Sequence, residues 1–280
     1  MSVSKSETCP IGYHISFDGF YGTLMTAKSL GLPTFQMFIR NNRNLKMRKF
    51  TQSDYDAFNS ALPTSGIQDI VVHASYAINP ASGDPEKRER AAKVIIEDLK
   101  ILQNINGYKY YVLHPGCHTE YDRSVCLSNL IRTIMQVAPY AKGTKICVET
   151  MAGEGTELIS KLEEIILLCY CLHHVEDFRL CVDTCHLFGA GIDYNVLLSK
   201  LSEGGYLDKI GVVHVNGSKN PFNSRKDNHG SLMRGYLPFD SNVNFLKELN
   251  KLNVSVPVIL ESEASSMASD WDAITKALIF

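Results

Sequence analysis

The chain has 280 residues, enough to bury one large core, and 45% of them are hydrophobic, an ordinary share for a globular protein. Its formal charge is 28 − 30 = −2, so nothing global advertises a polyanionic partner, and any nucleic-acid contact has to come from local patches. No run of about 18 apolar residues suggests a membrane span; the opening MSVSKSETCP lacks the apolar core of a secretory signal, and eight cysteines without a spaced framework point to a reducing compartment, cytoplasm or nucleus.

Residues 1–10 are expected to be a loose tail ahead of one domain over 11–280. Short β-branched runs then recur: IGYHIS (11–16), TFQMFI (34–39), DIVVHA (69–74), YYVLHPG (110–116), KICVET (145–150), FRLCVDT (178–184), IGVVHVN (210–216) and VPVILES (256–262). Most are apolar at their centres, as strands covered on both faces should be. Helical periods fill the gaps. Over 86–106, Ala91, Ile95, Leu99 and Leu102 share one face, with Glu86, Lys87 and Arg90 on the solvated side. Leu158, Leu162, Ile165 and Cys169 do the same over 156–172, and Thr51 with Asp54 forms a capping signal for a helix over 52–62. Further helices are expected over 19–31, 123–141, 193–203, 239–252 and 269–279. Strict alternation with short connections implies parallel strands and right-handed crossovers. Eight such units in a chain of this length predict a closed (β/α)8 barrel, a TIM barrel, with a doubly wound open sheet as the alternative.

Metal-competent side chains fall at the strand exits. His73, His114, Glu149, Asp183, His214 and Glu261 end the third to eighth strands, His186 lies three residues after Asp183, and Asp227 and His229 follow in the seventh loop. In a parallel barrel these exits converge on one face. Pro115 biases His114 toward extended backbone and Gly116 permits a sharp turn. Asp227 and His229, two apart in an extended loop, project to one side, whereas Asp183 and His186 straddle the exit and point to two different ions. A lone histidine near a strand end is usually a hydrogen-bonded core residue, and a lone acid there is usually a helix cap or an ion-pair partner. Nine such groups on one rim differ, because they cannot be desolvated together without cations. Four carboxylates bring −4; three divalent ions bring +6, leaving +2 for an anionic substrate. Oxygen and imidazole donors without thiolate suit Zn2+, with Mn2+ or Fe possible at one position.

With HASYAIN (73–79), LHPG (113–116), VETMAGEG (148–155), CVDTCHLFGAG (181–191), VHVNGSK (213–219), DNHGSL (227–232) and ILES (259–262), the chain resembles the endonuclease IV family of AP endonucleases over 11–261. The resemblance implies that His73 and His114 ligate one zinc, with Glu149 bridging it to a second held by Asp183, His214 and Glu261. His186, Asp227 and His229 would hold a third. It further implies a base excision repair activity: metal-assisted in-line hydrolysis of the phosphodiester 5′ to an abasic site in double-stranded DNA, leaving a 3′-hydroxyl, with Glu261 and Glu149 catalytic. Glu261 would orient or deprotonate the attacking water. A sugar isomerase or epimerase of the xylose isomerase-like barrels and a UV-damage endonuclease are the rival readings. The first leaves Asp227-x-His229 unexplained.

The basic segment RNNRNLKMRK (40–49) and Lys219, Arg225, Lys226 and Arg234 are expected to form a backbone-binding crescent, to which Arg40 belongs. Asn41, Arg43, Asn44 and Tyr76 match family positions that probe the minor groove or stack in the gap left by a flipped nucleotide. His14 matches a family histidine that is not a ligand. Several positions depart from the family. Ala74 removes an acidic neighbour of the first ligand, Ala77 is smaller than the usual leucine, Met233, Arg234 and Pro238 replace Gly, Glu and Gly, and Ser262-Glu263 replaces Thr-Pro. A monomer would suffice for such a site.

Overall fold

The computed structural model describes residues 9–278. Of the expected tail, residues 1–8 lie outside the described residues, as does the last residue of the helix expected over 269–279. Pro10 already belongs to the barrel: it is buried, and its carbonyl accepts a hydrogen bond from the Val258 amide at 2.9 Å.

Eight parallel strands form the barrel wall: β1 (Ile11–His14), β2 (Thr34–Met37), β3 (Asp69–His73), β4 (Tyr108–Leu113), β5 (Lys145–Glu149), β6 (Phe178–Asp183), β7 (Ile210–His214) and β10 (Val258–Leu260). They close on themselves in the order β1, β10, β7, β6, β5, β4, β3, β2. Closure runs through the register Ile11↔Val258, Gly12↔Ile259 and Tyr13↔Leu260, which leaves no open sheet edge. Between β7 and β10 a two-stranded antiparallel ribbon, β8 (Gly217–Ser218) with β9 (His229–Gly230), carries the long seventh loop.

The outer helices are α1 (Gly19–Ser29), α2 (Gln52–Ala61), α3 (Pro85–Leu102), α4 (Arg123–Val137), α5 (Leu162–Leu172), α7 (Tyr194–Glu203), α8 (Phe239–Lys251) and α9 (Met267–Ala277). The capping box at α2 is complete: Thr51 Oγ1 accepts from the Asp54 amide, and the Asp54 carboxylate accepts from the Thr51 amide at 2.8 Å. Two sequence expectations are corrected. The helix expected over 156–172 starts only at Leu162, because the Leu158 amide is held by the Gly116 carbonyl and Met151 donates to Ile159, stitching 156–161 to neighbouring loops. An unforeseen short helix, α6 (Thr184–Ala190), follows β6 directly, started by the Asp183 side chain on the His186 amide and stopped by left-handed Gly191.

Side chains alternate across each strand, so every second residue points into the barrel. The inward layer contains Val71, Val112, Cys147, Cys181, Val212 and Ile259, all buried in one small cluster with Tyr110. Their sequence neighbours, such as Val72, Ile146, Val148, Leu180 and Val213, pack outward against the helices. Two residues further along the same inward face come His73, His114, Glu149, Asp183, His214 and Glu261. The period of two therefore stacks a polar layer directly on an apolar plug, at the carboxyl face of the barrel.

Candidate metal centre

Glu149 lies at the middle of the cluster and divides its two oxygens. Oε2 faces His73 Nε2 at 3.2 Å and His114 Nε2 at 3.4 Å, while Oε1 faces His214 Nδ1 at 3.1 Å. Around His214 Nδ1 also stand Glu261 Oε2 at 3.2 Å and Asp183 Oδ2 at 3.8 Å. A third set surrounds His186 Nε2: Asp227 Oδ1 at 3.0 Å and His229 Nε2 at 3.4 Å, with His229 and Asp227 themselves 3.3 Å apart. Asp183 Oδ2 borders this set too, 3.6 Å from His229 Nε2. Ligands bonded at 2.0–2.1 Å to a tetrahedral zinc stand about 3.3 Å from one another, so each set has the spacing of a coordination shell. Cys181 also reaches the Glu149–His214 pair from the layer below.

Ring tautomers are already set for ligation. His73 Nδ1–H donates to the Ala74 carbonyl and His186 Nδ1–H to the Thr150 carbonyl, each at 2.8 Å, which leaves Nε2 of both rings aimed inward. The side chain of Ala74 gives His73 no outer partner, but the backbone carbonyl of that same residue supplies one. His214 is reversed: Nε2–H donates to Gln36 Oε1 at 2.8 Å and Nδ1 faces the carboxylates. Asp183 combines two duties, with Oδ1 capping α6 through the His186 amide at 2.8 Å and Oδ2 turned to the cluster, held by Asn216 Nδ2 at 2.7 Å.

His73, Glu149, Asp183, His186 and His214 are buried, whereas His114, Asp227, His229 and Glu261 line the mouth. The buried charges perturb one another. Burial pushes the Glu149 carboxyl up, but His214 and His114 outweigh it and hold it well below the usual range. Burial likewise opposes ionisation of Glu261, yet His214 and His229 bring its pKa down to about 2. Burial lowers the His214 pKa, and Glu261 and Glu149 more than reverse this, to about 9. His114, dominated by burial, falls to about 4 and is neutral at pH 7. Such mutual stabilisation of buried acids and imidazoles is the electrostatic preparation a cation site requires. The donor chemistry, the spacing and the tautomers all fit divalent metal ions.

Two residues that the sequence pattern does not single out support the cluster. Gln36 occupies the inward-facing position nearest the exit of β2, and Asn216 follows β7, receiving the Glu261 amide on Oδ1 at 2.9 Å. A long polar side chain inside an apolar strand run is the available signal for Gln36. His14 stays outside the cluster, with Nδ1 3.3 Å from Gln36 Nε2.

The mouth opens into a cavity of about 530 Å³ bordered by Tyr76, Lys219 and Asn228 beside the ligands. Tyr76 is half exposed, and its ring lies 4.9 Å from that of His114 and 5.3 Å from that of Phe38. Asn41, Arg43 and Asn44 form an exposed turn closed by the Asn41 side chain on the amides of residues 43 and 44. The Tyr76 amide donates to the Asn42 carbonyl at 2.9 Å, which joins this turn to the Tyr76 loop. Arg40 is corrected: its guanidinium is buried and bound to Asp98 at 2.5 Å and Glu97 at 2.8 Å, so it anchors the loop to α3 and does not face solvent. Lys219 is paired with Glu263, and Lys226 with Glu154 at 2.9 Å. Among the described residues no carboxylate lies within ion-pair reach of the exposed Arg43, Arg225 or Arg234.

A closed parallel barrel with a cluster of His, Asp and Glu at its carboxyl face is the architecture of a xylose isomerase-like TIM barrel, and the family model of that description matches residues 24–279. A protein named probable endonuclease 4 from Clostridium botulinum is 32% identical over 241 residues, covering 84% of this chain and 87% of its own. Another of the same name from Mycoplasmopsis agalactiae is 32% identical over 280 residues, covering 96% and 97%. Endonuclease IV from Thermus thermophilus shares the fold with a TM-score of 0.82 at 24% identity, over 96% of this chain and 98% of that one. The chain belongs to the endonuclease IV family, and by that membership it is an enzyme of the hydrolase class.

Proposed function

We propose that the chain is a zinc-dependent AP endonuclease that hydrolyses the phosphodiester 5′ to an abasic site in duplex DNA and leaves a 3′-hydroxyl. The observation that carries this reading is the three-way grouping of donors around Glu149, whose two oxygens serve different sets. His73, His114 and Glu149 would hold one ion; Glu149, Asp183, His214 and Glu261 a second; His186, Asp227 and His229 a third. When bound, zinc supplies Lewis-acid stabilisation of phosphoryl charge and acidifies water. Mn2+ or Fe at one position is compatible with the same donors.

The chain's own residues then do the positioning. Glu261, ionised and with one oxygen turned into the bowl, orients the attacking water and accepts its proton. Asn41, Arg43, Asn44, Arg225 and Arg234 offer side chains on the rim to phosphates, with Lys219 released from Glu263 as DNA arrives. Tyr76, its ring tilted 31° against that of His114, presents its exposed part to the duplex where a nucleotide has flipped out. One copy of the chain carries all nine ligand groups, so a monomer suffices. Among the described residues no helix is long and apolar enough to cross a membrane. Eight cysteines without a disulfide suit a reducing compartment.

Incubation with a duplex carrying one abasic analogue is expected to give a single nick 5′ to the lesion. Metal analysis of the purified chain is expected to find three zincs. Glu261→Gln is expected to bind the same DNA while losing several orders of magnitude in turnover. One or two ions per chain with no nicking, and activity on a sugar, would replace this reading with the isomerase one.

A further inference from the structure

The geometry points to Gln36 as a positioning residue that selects, with one amide, both the nitrogen of His214 and the oxygen of Glu261 that face the middle metal subsite. The inference rests on the metal-dependent reading above and concerns that subsite alone.

In β2 the flanking Phe35 and Met37 pack outward into the core, so the period of two turns Gln36 into the barrel, where it is fully buried. A primary amide buried there is tolerated only if its donors and acceptor are matched. They are. Gln36 Oε1 accepts from His214 Nε2–H at 2.8 Å, and Gln36 Nε2 donates to Glu261 Oε1 at 2.6 Å and faces His14 Nδ1 at 3.3 Å. Reversing the amide would press its carbonyl against the Glu261 carboxylate and leave two donors opposed across His214, so the orientation is fixed by its neighbours.

This one side chain has two effects. The His214 proton is kept on Nε2, so the lone pair sits on Nδ1, the nitrogen 3.1 Å from Glu149 Oε1 and 3.2 Å from Glu261 Oε2. Glu261 has one oxygen engaged by Gln36, and only Oε2 is left for the bowl. Neither choice is made by the backbone, in contrast to His73 and His186, whose outer nitrogens bind main-chain carbonyls. His214 therefore depends on a replaceable side chain for its orientation, whereas His73 and His186 do not. Outer partners of this kind are worth about 10–100-fold in metal affinity.

The test uses the full-length chain, wild type beside Gln36→Glu and Gln36→Leu. Gln36→Glu keeps the shape and the acceptor for His214 but sets a carboxylate against Glu261; Gln36→Leu removes both bonds. Bound zinc is measured after dialysis against graded chelator, urea unfolding is followed on the metal-free proteins, and long-range proton–nitrogen spectra, recorded above pH 9 where the metal-free ring is neutral, report the His214 tautomer. Both variants are expected to lose about one zinc per chain at roughly 10–100-fold lower chelator than wild type, the other two being retained. The Nε2–H form of His214 is expected in wild type and Gln36→Glu and a mixture in Gln36→Leu. Wild-type zinc retention in both variants overturns the inference. So does a neutral wild-type ring whose single proton sits on His214 Nδ1, a result that requires no variant to fold. A wild type that holds no zinc at all defeats the metal-dependent reading instead, and the tautomer spectra then decide the role of Gln36.

Discussion

Arg40 shows how one residue's identity can mislead while its chemistry stays sound. It opens a run of five cations, which suggests a rim contact, yet it is held by Asp98 and Glu97 from α3, with Tyr111 donating to the same Asp98 carboxylate at 2.8 Å. Those partners are about 57 residues away in sequence, so spacing cannot reveal them. The gathering of the nine His, Asp and Glu side chains, by contrast, is legible, because six sit at strand exits whose direction is dictated by alternation and the other three lie in the segments that follow. Gln36 is not, since its value lies in contacts to His214 and Glu261 from the far end of the chain. Burial raises the Asp98 pKa to about 6, against the opposing pull of Arg40 and Tyr111. A folded-state value above the ordinary 3.8 means that the stability tied to this proton is complete below 3.8 and is lost as pH rises through about 6. Asp98→Asn lacks that titration. The urea midpoint of wild type relative to Asp98→Asn is therefore expected to fall as pH rises from 3.8 through about 6, and parallel curves would contradict it.

At the scale of elements, all eight strands and eight of the helices overlap the expected segments, because buried parallel strands and amphipathic helices carry different periodicities. Strand ends differ by a residue or two: His114 and Glu261 lie just beyond β4 and β10, at the point where the chain leaves the ladder. What periodicity misses is local and tertiary at once. Helix α6 is seven residues long and is capped by Asp183, too short to show a face. Residues 156–161 look helical but are drawn out by bonds to other loops. The sharp turn expected after His114 is present, and Gly116 adopts a φ of 93° there. A Cβ at that position would stand 2.1 Å from Asn79 Oδ1, the atom that also accepts from the Cys117 amide. Gly116→Ala is expected to cost about 1–3 kcal/mol through backbone strain and this collision. Urea unfolding checks the cost, and metal analysis should show loss from the His73–His114 set before the others. An unchanged midpoint would mean the turn relaxes freely.

For the whole molecule, a charge of −2 conceals a sharp division: acids gather in the bowl and exposed arginines stand on its rim. Ions that bind only the folded chain add stability by mass action, about 2.7 kcal/mol for each one held at a hundredfold its Kd. Chelation is accordingly expected to lower Tm by roughly 5–10 °C per strongly held ion, read by calorimetry with and without chelator. A Tm indifferent to chelator would argue that the buried acids and imidazoles settle their charges by sharing protons alone.

The seam between β1 and β10 joins residues 11 and 258, the most distant partners in the ladder. Glu261 arrives with that same strand, and Gln36, on β2, reaches it only across the closed circle. A chain lacking its last strand would have neither a sealed wall nor the acid proposed to work on water. During synthesis, then, hydrolytic competence has no gradual onset. On the proposed role of Glu261 it begins when the cylinder shuts, and a nascent fragment released early would not cut nucleic acid.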